Sequence, residues 1–165
     1  MIIGFGESHK TMTSNITIKQ ESPDSADAMQ LIGELQAGLN QLHYPEKSRH
    51  GYSVEKLLRE GVAFFVARID DAPAGCGGVQ CFGTDYAEVK RMFVRRQYRR
   101  LGLAKQILDH LAEFARRKQI SILRLETGIY QTEAIALYER YGFERHGPFG
   151  EYRADPLSIY FEKRI

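Results

Sequence analysis

The chain has 165 residues, the length of one folded domain rather than two. Apolar residues make up 43% and charged residues 27% of it, which excludes collagen-like, coiled-coil and disordered chains. Twenty-three basic residues against 21 acidic ones leave a net charge of +2 with histidine neutral, which excludes a globally polybasic nucleic-acid binder and an acidic tail.

Met1 to Ser14 is polar and glycine-containing, with no long apolar run behind a basic start. It reads as a flexible extension and not a signal peptide, with Met12 as an alternative start, and residues 15–165 read as the single domain. No stretch approaches the roughly 18 apolar residues of a membrane span. Ile16 to Gln20 alternates apolar and polar residues and predicts a short strand. Ser22 and Pro23 read as a helix start, serine as N-cap and proline at the first helical position. The helix carries one apolar stripe, Ala28, Leu31, Ile32, Leu35, Leu39 and Leu42. His43 to Tyr52 breaks it. Ser53 then caps a short helix with Val54, Leu57 and Leu58, ended by Gly61.

Ala63 to Ile69 predicts an apolar strand, Asp70 to Pro73 a turn, and Ala74 to Phe82 a returning strand. Gly75, Gly77 and Gly78 within it imply a bulge or a close backbone approach. Gly83 to Asp85 turns the chain into a strand over Tyr86 to Val94. Ala104, Ile107, Leu108, Leu111 and Ala115 mark a helix, and Ile122 to Thr127 a further strand. Ala134, Leu137, Tyr138 and Tyr141 mark a last helix, stopped by Gly142. Phe143 to Arg145 and Leu157 to Phe161 read as closing strands around a Gly/Pro-rich loop. The order β-α-α-β-β-β-α-β-α-β-β predicts a mixed α/β fold, one mixed central sheet with helices on both faces. Cys76 and Cys81 are five residues apart on one strand, so they point to opposite faces and form no disulfide. Two thiols suit a reducing compartment, and the expected location is cytoplasmic.

Arg99-Arg100-Leu101-Gly102-Leu103-Ala104 joins a strand to a helix. Glycine admits close backbone approach, and the first turn of a helix offers free N–H groups and the positive end of its dipole, a setting for a pyrophosphate. Between Lys90 and Lys118 ten basic residues face two acidic ones, a local +8 that leaves −6 for the rest. Such a run is ordinarily a solvated helix face. Bracketing this turn, it points to a small polyanionic ligand. Nucleic acid, the rival, would want aromatic residues interleaved with the charges, and the segment has mainly Phe93 and Tyr98. Neither nucleic acid nor membrane is expected as a partner. The five histidines show no metal-ligand spacing, so no metal is expected.

On these residues the chain resembles the GNAT superfamily, the GCN5-related N-acetyltransferases. Arg99, Gly102 and Ala104 match its Gln/Arg-x-x-Gly-x-Gly/Ala signature, with Leu101 at a position that is often glycine. Glu88 stands eleven residues before Arg99, the spacing of the general base in histone-type members. Gln131, Ala134, Leu137, Tyr138, Gly142 and Phe143 match a later helix whose tyrosine serves as general acid, with Gln131 in place of the usual asparagine. The resemblance spans Ile16 to Lys163 and looks most like bacterial members of small-molecule type. It implies the GNAT acyl-CoA N-acyltransferase fold, with acetyl-CoA as cosubstrate and direct transfer to a primary amine on a small or amino-acid-like acceptor. It makes Glu88 the base, Tyr138 the acid and the Met92 backbone N–H the oxyanion donor. Arg99, Arg100, Leu101, Gly102, Leu103 and Ala104 would hold pyrophosphate; Met92, Phe93 and Val94 would run beside pantetheine; Gln131 would flank the cofactor. The acceptor side falls on Leu42 to Tyr52 and Gly147 to Ser158, where Arg153 is either a carboxylate clamp or an exposed loop arginine. A protein or peptide N-acetyltransferase and a non-catalytic acyl-CoA-binding regulatory module are the alternatives. Dimers are common in the superfamily, so a homodimer is admitted.

Overall fold

The structure is a computed structural model, described over residues 13–165. Most of the predicted extension, residues 1–12, lies outside the described residues. The strands are β1 (Ile16–Glu21), β2 (Ala63–Ile69), β3 (Ala72–Phe82), β4 (Tyr86–Val94), β5 (Ile122–Gly128), β6 (Glu144–His146) and β7 (Ser158–Arg164). The α-helices are α1 (Ala26–Asn40), α2 (Val54–Arg59), α3 (Leu103–Arg117) and α4 (Thr132–Tyr141). They build one seven-stranded sheet in the order β1-β2-β3-β4-β5-β7-β6. Only the central β4–β5 pair is parallel.

β2 explains the layering. Its alternate residues Phe64 and Val66 face one core, under α1 and α2, with Leu31, Ile32 and Leu57. Phe65 and Ala67 face the other, under α3 and α4, with Ile107, Leu108 and Leu111. A strand covered on both faces must be apolar throughout, which is why its sequence does not alternate. Cys76 lies in the first core and Cys81 against the second, so the two thiols do point apart.

Two irregularities open the sheet. β4 and β5 pair only through Ala87–Leu123 and Glu88–Arg124. Beyond Glu88 the β5-facing edge of β4 has no strand partner among the described residues. On its other edge, Cys76 pairs with Phe93 and Gly78 with Lys90, so Arg91 and Met92 together oppose Gly77 in a β-bulge. Gly77 is required there: a Cβ would come within 2.6 Å of Met92 Sδ and 2.9 Å of Ile107 Cγ2.

Some boundaries differ from the sequence reading. Ser25, not Ser22, caps α1; its hydroxyl accepts from Ala28 N (3.3 Å) and donates to Glu21 Oε2 (3.0 Å). Ser22 is bonded instead to Asp24, and Pro23 precedes the helix. α1 stops at Asn40, so Leu42 falls beyond it. Asp70 and Asp71 form a tight turn with both φ positive (+47° and +68°), so Ala72 and Pro73 already belong to β3. A 3₁₀ turn over Arg96–Tyr98 intervenes between β4 and the motif. The closing strands are shifted to Glu144–His146 and Ser158–Arg164.

Candidate functional site

α1 and α2 do not cover the whole sheet face. Across it, Gln80, Glu88, Arg124 and Glu162 are register partners in four successive strands and form a polar row. Side chains of cross-strand partners share a face. That half of the face is roofed by two loops instead. The first, between α1 and α2, is pinned by Tyr44, whose hydroxyl accepts from Tyr130 N (2.8 Å), and by Tyr52, whose hydroxyl is 3.4 Å from Gln80 Oε1. Gly128 leaves room for Tyr44, because a Cβ there would strike its hydroxyl. The second loop, between β6 and β7, brings Tyr152 over the row and packs Phe149 between Tyr86, Tyr152 and Tyr160. Between loops and sheet lies a cavity of about 160 Å³.

Glu88, Met92, Gln131 and Tyr138 all line this cavity. Glu88 is only 3% exposed. Its Oε1 receives two donors, Lys90 Nζ at 3.0 Å and the Tyr152 hydroxyl at 2.6 Å. Lys90 is equally buried and lies 3.7 Å above the ring of Tyr52. Burial pushes the Lys90 ammonium below the usual lysine range, against the pull of Glu88. Glu126, on β5, accepts from Ser158 Oγ at 2.9 Å. Burial, helped by the negative charge of Glu88, raises its carboxyl to about 7, against the Ser158 bond. Burial also pushes the Tyr138 phenol up, and Glu126 adds to the shift. The Tyr138 ring packs against Phe143 and Phe161, while its hydroxyl makes no hydrogen bond among the described residues.

The motif turn lies elsewhere. Phe93, Val94 and Arg99 to Ala104 are not on the wall of this cavity. Phe93 packs toward the α1–α2 core and Val94 lies in the α3–α4 core. Arg100 (φ +64°) and Gly102 (φ +77°) bend the chain sharply into α3. Gly102 is the N-cap residue and has no side chain to bond the first-turn N–H groups. The glycine answers to backbone conformation rather than crowding, since a Cβ there would meet nothing within 4 Å. Arg99 ties the turn to its surroundings: Nε donates to Val94 O at 2.9 Å, and Nη1 lies 3.1 Å from Glu133 Oε2 at the start of α4. Leu101 is 59% exposed.

Of the acceptor-side residues, Tyr44, Arg49, His50, Tyr52 and Tyr152 reach the cavity wall. Arg153 is exposed and does not, so the loop-arginine reading holds for it. Sequence reasoning missed the roles of Lys90, Arg91 and Glu126 as wall residues. Their alternation is visible in the chain, Glu88 with Lys90 and Arg124 with Glu126 two residues apart on one strand each, but it marks a shared face and not a cavity. Among the described residues no group of three or more His, Cys, Asp and Glu side chains is placed to hold a metal ion. Nor is any helix there long and apolar enough to cross a membrane.

Comparison with known proteins agrees with this architecture. Residues 31–143 match the family model described as Acetyltransferase (GNAT) family. A relative named IAA acetyltransferase, from Azospirillum brasilense, is 42% identical over 92% of this chain and 99% of its own. A Klebsiella pneumoniae structure assigned as an acyl-CoA N-acyltransferase superposes with a TM-score of 0.76 at 31% identity, over 90% of this chain and 97% of that one. A Thermoplasma acidophilum PaiA N-acetyltransferase, solved in complex with coenzyme A, shares the fold with a TM-score of 0.74 at 21% identity, over 92% and 99% of the two chains. The chain is a mixed α/β protein with the acyl-CoA N-acyltransferase fold, and it belongs to the GNAT acetyltransferase family.

Proposed function

We propose that the protein moves the acetyl group of acetyl-CoA directly to the primary amine of a small or amino-acid-like acceptor held in the cavity between Glu88 and Tyr138. The observation that carries the reading is the convergence of Glu88, Met92, Gln131 and Tyr138 around one cavity, beside the gap where β4 and β5 part. Family membership supports the acetyl-transfer half. The two roofing loops, the first pinned by Tyr44 and Tyr52 and the second by Tyr152, favour a small acceptor over a peptide, which needs an open groove.

The residues present fit the cofactor. The uncapped first turn of α3 offers N–H groups to a pyrophosphate, flanked by Arg99 and Arg100. The unpaired edge of β4 over Met92, Phe93 and Val94 offers main-chain groups to an extended amide arm, and Gln131 faces the same space from the start of α4. When bound, acetyl-CoA supplies the activated acyl group and a thiolate leaving group. The Met92 N–H is assigned to the oxyanion. The Tyr138 hydroxyl, kept protonated by burial, is assigned to the proton that the departing sulfur takes up.

A lysine-like amine is protonated at pH 7, and neutralising it costs about 4–5 kcal/mol. Glu88 is the carboxylate assigned to that proton, held in place by Lys90 and Tyr152. One observation favours a second reading: Glu126 faces the same cavity and titrates at about 7, the range suited to a base at neutral pH.

A screen of amines, amino acids and short peptides, followed by free thiol release from acetyl-CoA, tests the function. Turnover on small amines and not on peptides is expected. Tight CoA binding with no turnover on any amine would leave a regulatory acyl-CoA-binding module in its place.

A further inference from the structure

Arg91 is the poorly exposed wall residue whose charge no carboxylate answers. The other poorly exposed arginines are each matched by an acid: Arg68 by Glu21 and Asp27, Arg95 by Glu34, Arg124 by Glu162. Arg91 has no carboxylate partner among the described residues. Its Nε donates to Tyr52 O and its Nη2 to Gln36 Oε1, both at 2.8 Å and both neutral acceptors. A guanidinium cannot shed its proton to escape burial. Desolvation lowers its pKa, opposed only by the Cys76 thiol and by no carboxylate. The β-bulge aims this side chain at the α1–α2 loop, and Arg91 adopts φ +53° to do so, a strained region for a non-glycine residue.

A second group lining the same cavity is also unanswered. His50 Nε2 is buried and has no hydrogen-bond partner among the described residues. Its ring stands edge-on to Tyr152, the residue that also holds Glu88. A buried polar atom left without a partner loses its hydration with nothing in return. A ligand group that accepts from both Arg91 and His50 would relieve both costs.

We propose that Arg91 and His50 form a carboxylate-binding subsite, and that the acceptor is an amine that carries a carboxylate, an amino acid or a close analogue. The proposal rests on the acetyl-transfer reading above for its amine. One guanidinium with one imidazole matches a monoanion better than a doubly charged phosphate, and the planar fork of arginine matches a carboxylate. The carboxylate at Arg91 and His50 directs the amine toward Glu88 and Glu126, which share the cavity.

The test uses matched pairs, an amino acid and its carboxamide, for alanine, leucine, phenylalanine and glutamine. Transfer is read by thiol release, and binding by calorimetry of each N-acetylated acid and amide on the CoA-saturated protein. The acid should be favoured over its amide by about ten- to a hundredfold in kcat/KM, mostly through KM. Arg91→Met should bring that ratio close to one, and Arg91→Lys should keep part of it. Equal handling of acid and amide by the wild-type protein would overturn the subsite, as would a preference that survives Arg91→Met. The wild-type comparison decides the matter even if Arg91→Met does not fold. Acid-selective binding without transfer to any amine would sink the acetyl-transfer reading and leave the subsite standing. Transfer indifferent to the carboxylate would do the reverse.

Discussion

Glu126 shows how one residue's surroundings set its chemistry. Burial and the neighbouring Glu88 raise its carboxyl to about 7, although Ser158 donates to it. The folded state therefore keeps a proton that the unfolded chain releases near 4.3. The Glu126 contribution to stability should be fullest below that value, fall as pH rises toward 7, and level off above it. Glu126→Gln should remove this slope and melt higher at pH 8, by about 1–3 kcal/mol after allowance for partial solvent screening. Melting curves at pH 5 and pH 8 check it; an equal gap at both would refute it. The same titration separates the two candidate bases. If Glu126 takes the amine proton, the rise of kcat/KM through pH 7 vanishes in Glu126→Gln; if Glu88 does, turnover is lost in Glu88→Gln and survives in Glu126→Gln. Tyr138→Phe should slow turnover about tenfold or more with CoA affinity kept, since only the proton donor is lost. An unchanged rate would leave Tyr138 a core residue alone.

At the scale of elements, the β4 bulge and the α3 turn carry the functional geometry. Gly77→Ala should destabilise the fold by about 1–3 kcal/mol in denaturant titrations, because its Cβ meets Met92 and Ile107 closer than packing allows. Gly102→Ala meets nothing, yet must hold φ +77°. It should cost about 1 kcal/mol in stability and also weaken CoA binding, a pairing that a purely structural glycine would not show. The elements were largely legible in the sequence, since a stripe such as Ile107, Leu108, Leu111 and Ala115 is fully buried in α3. The α1 cap was not. Ser22-Pro23 and Ser25 are both good starts by local rules, and the choice falls to Glu21, which bonds Ser25 across the end of β1. Glu88 and Tyr138 were singled out through the resemblance to the GNAT family, and both line the cavity. Arg91, Lys90 and Glu126 were not, because a polar strand residue becomes a wall residue only where α1 and α2 fail to cover the sheet, and that depends on distant segments.

Across the whole molecule the charge is distributed otherwise than the chain order implies. The ten basic residues from Lys90 to Lys118 do not form one patch around the phosphate-type turn. Lys90 and Arg91 turn into the acceptor cavity. Arg116, Arg117 and Lys118 lie at the far end of α3, roughly 20 Å from its start. Arg95, Arg99 and Lys105 are engaged by Glu34, Glu133 and Asp109. Near the turn Arg96 and Arg100 have no acidic partner among the described residues, and Arg99 can exchange its exposed Glu133 for a phosphate. The protein thus presents cations at two separate places, one suited to a cofactor pyrophosphate and one to an acceptor anion. In the proposed function both places serve a single acetyl transfer. The most direct measurement is the steady-state rate of CoA thiol release, with and without small amines, for the wild-type protein beside Tyr138→Phe. Amine-dependent release, formation of the N-acetylated amine in equal amount, and a slower variant are expected. Release that ignores added amine, or a variant as fast as the wild type, would contradict the proposed function.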